Sequence, residues 1–238
     1  MEIKIMHLYP DLLNLYGDKG NIECLKHRLL WRGIDVTVVP YTGDEPLDLS
    51  DIDIVFLGGG TDREEQTVIS KLMDSKAEIA EYVNDERTLF AACGGFVMLG
   101  KEYTLGGEAV EGLGILDIMA EQGKDGLIGD VVLDSQATDS VIVGFENHSL
   151  RINIGSHTPL GFVKYGNGNN GEDKTEGVIY KNVVATNLHG PLLPKNPKLC
   201  DYILSCALKR KYPEFAGLSE LSDEIENKAN EYIVKRYE

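Results

Sequence analysis

Cys93 ends the apolar run Leu89-Phe90-Ala91-Ala92 and is followed by Gly94-Gly95-Phe96. A buried strand that delivers a thiol to a sharp turn, with two glycines allowing a tight passage into a helix, presents a nucleophile beside a helix N-terminus. There the free amides favour thiolate and can bind a developing oxyanion. An isolated Cys-Gly-Gly reads first as a buried cysteine closing a core strand, and two further segments shift that balance. Gly58-Gly59-Gly60 follows the apolar run at 52–57 and can offer another backbone N–H to an oxyanion; a plain strand-exit turn does not require three glycines. His189 stands in Thr186-Asn187-Leu188-His189-Gly190-Pro191-Leu192-Leu193-Pro194, where a rigid Gly-Pro turn fixes an imidazole as general base for a thiol. Cysteine, glycine loop and histidine, each at a strand end, make a nucleophile, an oxyanion hole and a base.

These groups can meet only if the strands that carry them share an edge. Apolar and β-branched runs at 3–8, 34–39, 52–57 and 88–92 predict four strands. Helical spacing of Ile22, Leu25, Leu29 and Leu30 predicts a helix over 18–31 closed by Gly33, and Val68, Ile69, Leu72, Ile79 and Val83 predict one long helix over 64–83. This βαβα order predicts a parallel sheet covered by helices on both faces, with its site at the carboxyl ends of the strands.

Between 106 and 177 the chain turns glycine-rich, and short β-like runs at 128–133, 141–145 and 162–163 predict a meander attached to the sheet. Gly166-Asn167-Gly168-Asn169-Asn170-Gly171 reads as a turn or mobile loop; no helix or Lys-Ser/Thr pair follows to make it a phosphate cradle. A strand over 178–187 and helices over 196–211 and 218–237 complete the expectation. Without repeats, low-complexity tracts or linkers, the chain reads as a single domain over 1–238, of which 196–238 is a C-terminal helical part.

Composition narrows the function. The 238 residues are 42% hydrophobic and 26% charged, the balance of a globular protein. A net charge of −16 repels phosphate backbones and anionic lipid, so nucleic acid is not an expected partner. The apolar runs are far too short to span a bilayer, and no basic stretch leads into an apolar segment after Met1, so no transmembrane segment and a cytoplasmic location are expected. Neither CxxC nor HExxH occurs, so no metal site is expected, and Cys24, Cys200 and Cys206 read as buried or half-buried free thiols on helices.

Five stretches carry a more specific signal: 9–21 (Tyr-Pro-Asp-Leu-Leu-Asn-Leu-Tyr-Gly-Asp-Lys-Gly-Asn), 58–66 (Gly-Gly-Gly-Thr-Asp-Arg-Glu-Glu-Gln), 92–95 (Ala-Cys-Gly-Gly), 144–148 (Gly-Phe-Glu-Asn-His) and 188–197 (Leu-His-Gly-Pro-Leu-Leu-Pro-Lys-Asn-Pro). In order along nearly the whole chain, they resemble the class I glutamine amidotransferases. Within these they resemble the cobyric-acid-synthase-like branch that includes the glutaminase subunits of lipid II isoglutaminyl synthases. The resemblance implies a three-layer, flavodoxin-like α/β fold. It also implies that Cys93 attacks the side-chain amide of glutamine, that His189 activates the thiol and protonates the departing ammonia, and that water then releases glutamate from a thioester. Gly60 and the amide of Gly94 would hold the oxyanion, and Gly59, Gly126, Asn147 and His148 fall where relatives line the glutamine pocket. The implied partner is a separate Mur-ligase-like (MurT-type) synthetase that amidates the D-glutamate of lipid II to D-isoglutamine. The chain has no Gly-x-x-x-x-Gly-Lys-Ser/Thr run, so ATP and Mg²⁺ are expected on that partner, with no cofactor in this chain.

The departures from the family pattern fall on glutamine recognition. Val97 stands where relatives carry Gln, and Gly126 where close relatives carry Arg; Lys124 can replace that Arg in charge, though not in bidentate geometry. Ser149-Leu150 replaces a glycine-rich run. Pro191 stands two residues after His189, where most class I amidotransferases place the orienting Glu; Glu146 and Asp18 lie nearest to other motifs, and the resemblance implies an Asp supplied by the synthetase. The altered pocket leaves open a non-catalytic scaffold subunit, a glutaminase for another cobyric-acid-synthase-like amidation, or a cysteine hydrolase acting on peptides or aldehydes.

Overall fold

Alternation along the first strand decides the layering. In β1 (Glu2–Leu8), Ile3 and Ile5 enter one core cluster, whereas Met6 and Leu8 enter another. β3 (Ile54–Leu57) and β4 (Thr88–Ala92) divide in the same way: Ile54, Phe56, Phe90 and Ala92 to the first cluster, Val55, Leu57, Leu89 and Ala91 to the second. Strands apolar on both faces belong inside a helix-covered sheet. α1 (Lys19–Leu30) and α5 (Pro197–Lys211) cover the first face; α2 (Asp62–Leu72), α3 (Lys76–Asn84) and α4 (Gly94–Met98) cover the second. The computed structural model describes residues 1–237; Glu238, which the sequence reading included in the C-terminal part, lies outside the described residues.

With β2 (Asp35–Tyr41), β11 (Val178–Tyr180) and β12 (Val183–Thr186), the sheet has the order β11-β12-β4-β3-β1-β2, and every pair but β11–β12 is parallel. Register brings the carboxyl ends level: Leu8 pairs with Leu57, Leu57 with Ala91, and Ala92 with Thr186. The chain therefore leaves four neighbouring strands at one edge, where Gly58, Cys93 and Asn187 begin their loops. This is the three-layer α/β architecture expected from the sequence.

Three local expectations require correction. The long helix over 64–83 is two helices, broken by a 3₁₀ turn at Met73–Ser75. Asp74 and Ser75 sit at that break, and short polar side chains of this kind compete with helical backbone bonding. The strand over 178–187 is an antiparallel hairpin, β11–β12, turning at Lys181 (φ +52°) and Asn182. The last helix, α6 (Glu224–Tyr237), starts six residues later than the pattern suggests, because Asp223 is held by the buried Arg28, 2.6 Å away.

The middle of the chain differs most. It is a second sheet of its own, with β5 (Glu102–Leu105), β6 (Glu108–Glu111), β7 (Met119–Ser135), β8 (Ser140–Asn153), β9 (Gly161–Tyr165) and β10 (Thr175–Glu176). β7 and β8 are 17 and 14 residues long, not short runs. Glycines lie inside these strands as well as between them. Gly144, for one, lets Leu188 pack on its Cα, where a Cβ would come within 2.8 Å. Single bridges, Phe145 to His189 and Thr158 to Ile179, join this sheet to the first. It thereby brings Asn147 and His148 over the sheet edge that carries Cys93. Among the described residues no helix is long and apolar enough to cross a membrane.

Candidate active site

Cys93 leaves β4 with φ +52° and ψ −118°, a conformation L-residues seldom adopt and one typical of a nucleophile held on a sharp elbow. The surroundings enforce it: the Cys93 N–H donates to Thr186 O at 2.8 Å, and its carbonyl accepts from Phe96 N at 2.9 Å. Gly95 has no room for a side chain, since a Cβ would lie 2.2 Å from Leu57 O, so the turn packs directly on the exit of β3. Gly59 covers the thiol from the other side. A Cβ there would stand 2.8 Å from Cys93 Cβ and 3.2 Å from its Sγ.

The electrostatics at the thiol differ from the sequence expectation. A helix N-terminus was expected to favour thiolate, but α4 has only five residues and a correspondingly small dipole. Burial pushes the Cys93 thiol far up, the Glu65 and Asp18 carboxylates push it further, and the Gly94 N–H offsets only part of this. The resting nucleophile is therefore a neutral thiol.

His189 is fully buried at its bridge to Phe145, with its N–H donating to Phe145 O at 2.9 Å. Tyr16 lies over the imidazole, ring centroids 4.0 Å apart, and neither ring nitrogen has a hydrogen-bond partner among the described residues. Burial, then the nearby His148, lowers its pKa from 6.5 to about 4, with the Asn147 backbone offsetting part of the fall. Thiol and imidazole are thus both uncharged at neutral pH.

Neither acid singled out in the sequence reaches that ring. The Glu146 carboxylate accepts Asn167 N (2.8 Å), Asn167 Nδ2 (2.7 Å) and Gly168 N (2.8 Å), tying β8 to the glycine-asparagine loop. Burial opposes its charge, but these bonds and His148 hold it below the usual carboxylate range. Asp18 accepts the Gly59 N–H at 3.1 Å and is pushed up to about 6 by burial, an effect the Gly59 bond only partly offsets.

The expected oxyanion donors divide. The Gly94 N–H faces the thiol. The Gly60 N–H instead donates to Glu65 Oε1 at 3.1 Å. Glu65 lies so close to Gly94 that a Cβ there would be 1.8 Å from Oε1, and burial pushes its pKa up to about 7 despite the Gly60 bond. A cavity of about 590 Å³ opens over these groups, lined among others by Cys93, Gly60, Gly94, Gly126, Asn147 and His148. Gly59 and His189 are not among the residues that line it. Asn147 Nδ2 donates to Tyr16 Oη at 2.7 Å, and His148 Nδ1 meets Leu150 O at 2.9 Å. Gly126 sits in the bulge of β7 between Gln122 and Leu127.

Sequence reasoning gave no role to Tyr16 or Glu65, though both lie in stretches it singled out; their spacing carried no sign that one would cover His189 and the other occupy Gly60. Glu65 gives a pH prediction. Its folded pKa of about 7 exceeds that of an exposed Glu, so the folded chain holds the proton more tightly and stability contributed by the neutral carboxyl is lost as pH rises from about 4.5 through 7. The stability gained by Glu65→Gln over the parent should therefore grow between pH 5 and 7.5 and level off above. Urea midpoints at four pH values measure it, and a gap independent of pH would contradict the burial of an ionisable carboxyl.

Residues 4–197 match the CobB/CobQ-like glutamine amidotransferase domain. The chain is 43% identical over 236 residues to the lipid II isoglutaminyl synthase (glutamine-hydrolysing) subunit GatD of Staphylococcus aureus, covering 99% of this chain and 96% of that protein. It is 38% identical over 235 residues to the subunit of the same name from Streptococcus pneumoniae, covering 97% and 90%. Among solved structures, PurLQS from Thermotoga maritima superposes with a TM-score of 0.57 at 17% identity, over 86% of this chain and 99% of that one, a likeness of fold alone.

Proposed function

The chain belongs to the CobB/CobQ-like glutamine amidotransferase family, and from that premise we propose that it is the glutamine-hydrolysing subunit of a lipid II isoglutaminyl synthase. Full-length similarity to two subunits of that name carries the reading. The site supports its chemistry. Cys93 Sγ attacks the side-chain carbonyl carbon of glutamine; the thiol proton passes to His189 and on to the leaving nitrogen, which departs as ammonia. Water, deprotonated by the same imidazole, then attacks the thioester and releases glutamate. The Gly94 N–H stabilises the oxyanion formed in each half. The Gly60 N–H can join it only when the Glu65 carboxylate gives way, because a backbone N–H held at 3.1 Å by one acceptor is not free for another.

The ammonia goes to a synthetase that supplies the ATP and Mg²⁺ chemistry. On this reading the synthetase is of the Mur-ligase (MurT) type, its acceptor is the D-glutamate carboxylate of lipid II, the product is D-isoglutamine, and the pair works in the cytoplasm. The reading is tested by supplying chain and synthetase with lipid II, ATP and ¹⁵N-amide glutamine. Label should enter the stem peptide only when this chain is present; equal incorporation without it sinks the proposal.

The scaffold alternative draws on Val97 and Gly126. Val97 is almost fully buried yet borders the cavity, and Gly126 has open space, the nearest atom to a Cβ there being Ile128 Cδ1 at 3.5 Å. An amide at 97 and a guanidinium at 126 would both enter the cavity, so Val97→Gln and Gly126→Arg should each lower KM for glutamine severalfold with little change in kcat. Unchanged or higher KM in both would mean that the substrate is bound by another arrangement.

A further inference from the structure

A free amino acid differs from a peptide or simple amide by its α-carboxylate, and a site selective for it needs a cation to receive that charge. Among the described residues, Arg63 is the one lysine or arginine bordering the cavity above Cys93. It lies in the first turn of α2, two residues before Glu65, whose carboxylate abuts Gly94. Its guanidinium makes no ion pair or hydrogen bond among the described residues; only its backbone carbonyl is engaged, by Thr67 Oγ1 at 2.9 Å.

Lys124, in the β7 bulge beside Gly126, makes no ion pair among the described residues but does not border the cavity, and other basic groups in this part of the chain are occupied. Arg151 is pinned across the β7 bulge by the carbonyls of Ser149 (3.1 Å) and Asp125 (2.8 Å). Lys19 faces Asp11 at 3.4 Å. His148 is held between Leu150 O at 2.9 Å and Glu146 at 3.8 Å. The cavity wall otherwise carries carboxylates, Asp62 and Glu65, which repel an anionic group and suit an ammonium.

We propose that Arg63 is the specificity residue of this site, its planar guanidinium receiving the α-carboxylate of glutamine while the side-chain amide reaches Cys93. The assignment rests on the glutaminase reading and deepens it. Arg63 takes no part in bond making. It sets which amides are presented to the thiol, so its loss should weaken reaction with amino-acid substrates while leaving the thiol itself as reactive as before.

The test compares two alkylating reagents on the full chain, with labelling of Cys93 followed by mass spectrometry. One is 6-diazo-5-oxo-L-norleucine, which has the α-amino acid head of glutamine; the other is iodoacetamide, which lacks it. Arg63→Ala should slow labelling by the diazoketone on the order of tenfold to a hundredfold, the range of a charge-assisted pair. Arg63→Lys should recover part of the rate, and iodoacetamide should label all three chains within about twofold of one another. Equal diazoketone rates in parent and Arg63→Ala would overturn the assignment. So would a parallel loss with both reagents, which would make Arg63 a structural support of the thiol. A parent chain whose Cys93, with the synthetase bound, reacts with iodoacetamide but not with the diazoketone would instead sink the glutaminase reading itself, and the assignment with it.

Discussion

A Cys93→Ala chain is expected to fold as the parent does and to release no glutamate from glutamine. The elbow at φ +52° is imposed by the bonds to Thr186 and Phe96 and by the contact of Gly95 on Leu57, all of which use backbone and survive loss of the sulfur. Alanine suffers the same left-handed strain as cysteine, so the substitution adds no backbone cost. The thiol is also half-buried among carboxylates that oppose its ionisation, so its removal leaves no charge unpaired. Stability should change by about 1 kcal/mol or less, the scale of a small buried group, while activity falls by orders of magnitude because no other group can form the thioester. Alanine at Cys24, Cys200 or Cys206 should spare turnover. Cys24 and Cys200 face each other at 3.7 Å between α1 and α5, so their replacement acts on packing. Urea unfolding paired with a glutamate-release assay decides the matter: activity retained in a folded Cys93→Ala chain removes the nucleophile assignment.

That the thiol could be located before any coordinates follows from the physics of parallel sheets. Runs such as 88–92 are apolar on both faces and can only be central strands, and residues just beyond such strands collect at one edge. Cys93, Gly58 to Gly60 and His189 were legible for that reason, and Gly33 closed its helix at φ +66° as its type predicts. The second sheet was not legible. Its glycines mark close approach rather than turns, as at Gly144 beneath Leu188, and glycine gives the same signal in both cases. The state of the site was hidden for a different reason. Which acceptor an N–H meets depends on side chains arriving from other elements, so nothing in the sequence announced that Glu65 takes the Gly60 N–H or that Tyr16 roofs His189.

The isolated chain should turn over glutamine slowly, and its synthetase partner should raise kcat by roughly 10²–10⁴-fold while changing KM little. Attack requires a proton to move from Cys93 to His189, and the isolated chain opposes both halves of that transfer. Burial and two carboxylates hold the thiol protonated, and burial with a nearby His148 holds the imidazole neutral down to about pH 4. A carboxylate placed against the ring would reverse the second effect: it attracts the imidazolium, raises its pKa and fixes which nitrogen faces the sulfur. Among the described residues, every buried acid is already engaged, Glu65 by the Gly60 N–H. Glu146 is bound to Asn167 and Gly168, Asp18 to Gly59, and Glu176 to Thr186 and Asn187 at 2.7 and 2.8 Å. An outside carboxylate also has to reach a ring that is fully covered, so Tyr16 must leave His189 and give up its bond from Asn147 when the partner docks. These steps affect proton transfer and not the binding of glutamine, which is why the gain belongs in kcat. They also keep ammonia from being released when no acceptor enzyme is present. Glutaminase assays across a titration of the synthetase measure the effect, and a synthetase variant lacking the interfacial acid should bind without activating. Equal kcat with and without the partner would mean that an acid of this chain reaches His189, and the completion of the triad by the partner would be wrong.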